Sequence, residues 1–353
     1  MNETIMKYQE IYEMLGDQES KDIYLNKLNF LISHDQKYLN WIVSNFLPNA
    51  HISAWKSLEE LRESMPEDRQ IVLYGAGTIG RKILPFWQND GRLIGFCSQT
   101  REKQEKGYCG YPVISPEELL ARRDLIVFIS TTRSDEEIWK ILTENGYPEE
   151  LIYRYTNYYY EDPAQYFPSD IISFAEEEVF VDAGCFDLNT ALELRRRCGA
   201  VKKVYALEPD PESYALCLEK KSRFCFDEAE VLPLGAWSQR TSLHFNACNT
   251  GTSRVCSNGE IEIPVAPIDE LIDAEDRVTM IKMDIEGSEL EALKGARNTI
   301  LRDKPKLAIC IYHKPEDMIE IPMYVKQLVP EYKLYVRHHA SGEAETVLYA
   351  VLP

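Results

Sequence analysis

Val179-Phe180-Val181-Asp182-Ala183-Gly184-Cys185-Phe186-Asp187 reads as an apolar strand that runs straight into a glycine turn. Consecutive large apolar residues suit a strand covered on both faces, the habit of parallel sheets. Beyond the turn, Ala191, Leu192 and Leu194 sit at helical spacing, so strand, turn and helix open a doubly wound α/β fold. Gly184 is expected to let the backbone approach a ligand with no Cβ in the way. A second strand, 204–207, ends on Glu208, 26 positions past Asp182, and leads into Pro209-Asp210 and a helix. A carboxylate at that strand tip can accept hydrogen bonds from both hydroxyls of a ribose.

The pattern continues downstream. A third strand, 230–234, runs into Gly235-Ala236-Trp237, where backbone contacts and an apolar wall could hold a purine, although Trp237 reads equally well as core. A fourth, 278–283, ends at Asp284 and is followed by Ile285-Glu286-Gly287-Ser288-Glu289 and a helix to Gly295. A fifth, 307–311, ends at Tyr312-His313, and the tail offers a helix (318–329) and two runs, 333–337 and 346–351, expected to pair antiparallel. Neighbouring parallel strands lie about 4.8 Å apart, so Asp284 and His313 can reach one acceptor oxygen and are the expected catalytic pair. A neutral imidazole, with its usual pKa of about 6.5, suits removal of a hydroxyl proton. Glu286 and Glu289 read as helix-start carboxylates. A divalent cation on Asp284, Glu286, Glu289 and His313 is the disfavoured alternative, so no metal ligand is assigned.

Val181 to Asp187, Leu207-Glu208-Pro209-Asp210, Ile281-Lys282-Met283-Asp284-Ile285-Glu286-Gly287-Ser288-Glu289 with Leu293-Lys294-Gly295-Ala296, and Ile311-Tyr312-His313-Lys314-Pro315-Glu316-Asp317 resemble, in this order, the FkbM family of methyltransferases. The resemblance covers about residues 165–353. It implies a seven-stranded Rossmann-like sheet, S-adenosylmethionine as methyl donor and a hydroxyl acceptor, often on a sugar or glycan. The cofactor residues it implies are Asp182, Gly184, Cys185, Phe186, Glu208, Pro209, Gly235, Ala236, Trp237 and Asp284. Leu188 stands where the family tends to have glycine, and is expected to crowd the methionine end of the cofactor.

Upstream, 70–74 is a strand followed by Gly75-Ala76-Gly77-Thr78-Ile79-Gly80 and an apolar helix, a G-x-G-x-x-G turn in its proper context. Such a turn can hold a phosphate at a helix N-terminus. Cys97 and Ser98 stand where a dinucleotide enzyme places its ribose acid, which argues against NAD. The region resembles the nucleotide-sugar-binding domain of sugar O-acyltransferases, and Gly75, Gly77, Thr78 and Gly80 are its candidate nucleotide contacts. The domains expected are a helical appendage at 1–65, a small Rossmann-like domain at 66–155 and the methyltransferase domain at 156–353, with a tyrosine-rich junction at 153–168. The rival reading is a nucleotide-sugar-binding protein whose methyltransferase-like half is vestigial.

Composition narrows the partners. The 353 residues suit two domains, and 39 basic against 58 acidic residues give −19, which repels nucleic acid and anionic lipid. Nine cysteines without a C-x-x-C spacing read as reduced thiols. With no apolar run long enough to span a membrane and no basic, apolar leader, a cytoplasmic protein is expected. The N-terminal helices offer a route to a homo-oligomer.

Overall fold

Buried strands need both faces covered, and the most apolar runs of the C-terminal region accordingly lie at the centre of one sheet. In the computed structural model, which describes residues 3–47, 61–87, 90–131, 134–155, 164–246, 254–255, 261–340 and 342–353, that sheet has seven strands. Their spatial order is Lys333–His338, Thr346–Val351, Lys306–Cys310, Met280–Met283, Glu178–Ala183, Val201–Leu207 and Ala229–Leu232. Thr346–Val351 runs antiparallel to both its neighbours, and the other strands run parallel. Glu178–Ala183 and Met280–Met283 lie side by side, so successive connections leave in opposite directions between them. This is the switch point of the sheet, where loops diverge and leave a crevice. Gly184 and Asp284 sit at its two lips.

The chain divides into two compact units, 1–51 with 161–353, and 52–160. The expected appendage at 1–65 is therefore no separate body. Helices Glu3–Met14 and Gln18–Ser33 and the turn between them place Ile11, Leu15, Ile23, Tyr24 and Leu28 in one core with Ile281, Leu307, Ile321, Leu334 and Val336. An apolar helical stripe must be covered, and the outer face of the sheet covers this one. Polar contacts fix the register: Gly16 donates its amide to the Leu334 carbonyl (2.8 Å), and the Tyr24 hydroxyl donates to the Met318 carbonyl (2.9 Å). Ser20 Oγ accepts the Val336 amide (2.9 Å), and Arg337 pairs with Asp17 (2.7 Å) and Asp170 (2.8 Å). The stripe proposed as an oligomer contact is thus largely used within the chain.

Between the third and fourth sheet strands the chain makes a four-stranded sheet from Arg254–Val255, Thr241–Asn246, Ile261–Ala266 and Gly235–Ala236. The sequence reading did not anticipate it.

The second unit is a five-stranded parallel sheet in the order Val113–Ile114, Leu93–Cys97, Ile71–Tyr74, Ile126–Ile129 and Ile152–Arg154. It has its own core around Trp87, Phe96, Phe128 and Leu142. Tyr153 and Tyr155 pack against that core, whereas Tyr166 belongs to the other unit; residues 156–163, with the remaining junction tyrosines, lie outside the described residues. Among the described residues no helix is long and apolar enough to cross a membrane.

Candidate functional site

Polar side chains gather where the strands Glu178–Ala183, Met280–Met283 and Lys306–Cys310 end. Lys282, the one charged residue of an otherwise apolar strand, is buried and sits 3.1 Å from the carboxylate of Asp182, itself fully buried. Its ammonium also donates to the Gly184 carbonyl (2.7 Å) and lies 5.0 Å from the centre of the Tyr166 ring. Burial opposes the charge, yet the carboxylates of Asp182 and Asp284 outweigh it and hold Lys282 protonated well above its ordinary range. Asp182, expected to touch a cofactor, instead lies beneath the crevice as the partner of Lys282. The signal for the pair was a lysine in a both-faces-buried strand.

Gly184 has φ +75°, and a Cβ there would come within 2.0 Å of the Asp284 carbonyl. Its glycine is demanded by the close approach of the two strand ends. Glu208 follows the end of the neighbouring strand, Val201–Leu207. Its carboxylate accepts the amides of Phe186 (2.8 Å) and Asp210 (2.9 Å), and burial pushes its pKa up to about 7. Phe186 is 37% exposed.

Leu188 takes the left-handed conformation (φ +66°) that explains a glycine preference at this position. Its side chain, however, is fully buried in the cluster of Cys185, Leu194, Val204, Ala206 and Cys217. The expected crowding of the crevice does not occur. Cys185 points into the same core, with its sulfur 3.6 Å from that of Cys217.

A Cβ on Gly235 would meet Val265 Cγ1 at 3.0 Å and Pro209 Cγ at 3.7 Å, so Pro209 and Gly235 pack together at the mouth. Ala236 is buried, and Trp237 packs against Ile263 and Val265 of the four-stranded sheet.

Asp284 and His313 do come together, with His313 Nε2 3.4 Å from Asp284 Oδ1. Asp284 also accepts the hydroxyls of Tyr166 (2.8 Å) and Tyr312 (3.3 Å). Burial pushes its carboxyl up, but Lys282, His313 and the Tyr166 hydrogen bond prevail and hold it below the usual range. The imidazole is a different species from the neutral base expected. Glu289 Oε1 lies 2.9 Å from its Nδ1 and Glu286 Oε2 3.8 Å from its Nε2. Although burial opposes protonation, these carboxylates and Asp284 raise His313 to about 9. Glu289, read as a helix-start residue, therefore also fixes the ring. Tyr166 and Tyr312 were not foreseen as site residues; their hydroxyls find Asp284 only through the fold.

Residues 182–332 match the methyltransferase FkbM domain. The chain carries an FkbM methyltransferase domain. A crystal structure of methyltransferase FkbM from Methylobacillus flagellatus aligns over 90% of this chain and all of that one, with 22% identity and a TM-score of 0.50, a likeness of fold. The hexuronic acid methyltransferase AglP of Haloferax volcanii is 27% identical over 179 residues, 48% of this chain and 64% of the relative. The FkbM match begins at Asp182 and so contains the switch-point crevice.

In the second unit, the Gly75 turn follows the central strand at its own switch point. A Cβ on Gly80 would stand 2.1 Å from the Gly75 carbonyl, so that glycine serves helix packing. Lys103 donates to the Ala76 carbonyl (2.5 Å) and Tyr108 to that of Gly77 (2.9 Å), whereas Gly77 has open space where a Cβ would be. Thr78 opens the helix Thr78–Trp87.

Proposed function

We propose that this chain transfers a methyl group from S-adenosylmethionine to an oxygen of a sugar-type acceptor. The observation that carries the reading is the meeting of Asp284 and His313 at the switch point, 3.4 Å apart, with Glu208 on the neighbouring loop. The donor set fits the cofactor. Glu208 gives two lone pairs to backbone amides and, with about four sites on a carboxylate, keeps capacity for a ribose diol. Phe186, Pro209 and Gly235 supply apolar surface next to it. Bound S-adenosylmethionine supplies an electrophilic methyl group on sulfur. Asp284 takes the hydrogen bond of the acceptor hydroxyl, and Tyr166 and Tyr312 hold the carboxylate in one orientation while closing it from bulk water. Positioning of this kind carries most of a methyl transfer. The name of the relative, a hexuronic acid methyltransferase, favours an acidic sugar as acceptor.

The rival reading drew its force from Leu188. With that side chain in the core, the enzyme reading is the stronger.

Calorimetric titration with S-adenosylmethionine and its demethylated product tests the proposal. Saturable binding is expected, and Glu208→Ala should weaken it by about 1.5 to 3 kcal/mol, the worth of hydrogen bonds to a charged group. Asp284→Asn should lower turnover of small uronic acids or sugars by about 10² or more. Absence of cofactor binding to the wild-type chain would sink the reading.

A further inference from the structure

We propose that the ring of acids around His313 is a divalent-cation site, with Asp284 and Glu286 as carboxylate ligands and His313 Nε2 as the nitrogen ligand. This reverses the preference drawn from the sequence, and geometry is the reason. The His313 side chain is 2% exposed, and its Nε2 has no hydrogen-bond partner. That atom faces Asp284 Oδ1 at 3.4 Å and Glu286 Oε2 at 3.8 Å. These separations are long for hydrogen bonds. Two donors sharing one metal at about 2.1 Å each stand roughly 3.0 to 3.4 Å apart at octahedral to tetrahedral angles, so Asp284 stands at that separation from Nε2 and Glu286 a few tenths of an ångström beyond it.

On the far side of the ring, Glu289 Oε1 lies 2.9 Å from Nδ1, and Glu289 is fully buried. A carboxylate behind the imidazole keeps a proton on Nδ1, so the cation displaces the Nε2 proton of the charged ring and takes that nitrogen, the usual outer-shell arrangement of histidine ligands. Among the described residues, Asp284, Glu289 and His313 bring donor atoms within 4.8 Å of one another.

Charge points the same way. Asp284, Glu286 and Glu289 surround the one imidazole, while Lys282 is held by Asp182 and Lys314 is bonded to the Gly287 carbonyl. Two carboxylates and one imidazole, with room for solvent or an acceptor oxygen, suit manganese or magnesium, the nitrogen favouring manganese. Held there, the cation would draw the acceptor hydroxyl to the strand ends and weaken its O–H bond. That catalytic role rests on the methyltransferase reading, whereas the binding itself does not.

Manganese added to the whole chain without cofactor or acceptor, and followed by loss of the free-ion paramagnetic resonance signal, separates the two. One saturable site is expected. His313→Ala and Glu286→Gln should each weaken it at least tenfold, and Glu289→Gln by about tenfold to a hundredfold through the ring. Glu286 is partly exposed, whereas His313 and Glu289 are buried, so its variant keeps the test open should the buried ones fail to fold. Failure of manganese to bind the wild-type chain, or equal affinity in folded His313→Ala or Glu286→Gln chains, overturns the site. Manganese binding with no cofactor binding would leave the site standing and remove the methyltransferase reading instead.

Discussion

Glu208 ties two loops together through the amides of Phe186 and Asp210, and burial sets its pKa near 7 instead of the usual 4.5. The folded protein thus holds this proton more tightly than the unfolded chain does. Its contribution to stability is fully present below about pH 4.5 and is lost as pH rises through about 7. The loss is on the order of 3 kcal/mol. Ribose hydroxyls need the ionised form as acceptor, so cofactor affinity should instead rise between pH 6 and 8. Calorimetry across that range should show the rise in the wild type and a flat profile in Glu208→Gln. Leu188 makes the opposite kind of case. Leu188→Gly relieves roughly 1 to 2 kcal/mol of left-handed strain, but it empties a buried leucine site, which typically costs about 2.7 to 5 kcal/mol. Thermal melts should show a net loss of stability, with cofactor affinity unchanged.

The two central strands are locked at their ends by one buried ion pair, Lys282 with Asp182. Removing one partner leaves the other charge buried and alone, at a typical cost of about 3 to 5 kcal/mol. Lys282→Met should therefore unfold at much lower denaturant, and restoring charge balance with Asp182→Asn in the same chain should recover part of the loss. In the smaller unit, the Gly75 turn does structural service through Gly80, whose Cβ would strike the Gly75 carbonyl. Gly80→Ala should destabilise that unit whatever the turn binds. We propose that the turn takes a nucleotide sugar in preference to NAD; thermal shift of the whole chain with UDP-sugars, NAD and NADP checks this, and stabilisation by NAD alone would reverse it.

For the molecule as a whole, the N-terminal helices are part of the unit that carries the FkbM match. Ile11, Leu15, Ile23, Tyr24 and Leu28 are buried against the sheet and the helix Asp317–Leu328, so deleting residues 1–47 should expose a continuous apolar face. The expected result is aggregation or a sharp fall in soluble yield, measured by size-exclusion chromatography of the truncated chain. Arg337→Ala is the milder form of the same test. It frees Asp17 and Asp170 and should lower the melting temperature while leaving a folded protein.

The strands of the sheet, the glycine turns and the acids at strand tips were legible in the sequence because each is a local property: an apolar run, a residue without Cβ, a carboxylate where the run stops. The same locality gave Glu208, Asp284 and His313 their places at one edge. What the residues do to one another was decided by tertiary structure. Lys282 meets Asp182 across 100 positions of chain and Tyr166 reaches Asp284 across 118, and no period or propensity carries such pairings. Only packing turned His313 from a neutral base into a ring among carboxylates and sent Leu188 inward. Packing likewise gave the N-terminal helices a sheet to cover. Burial and proximity set a side chain's charge and contacts, and both come from the strands and helices that the fold brings to it.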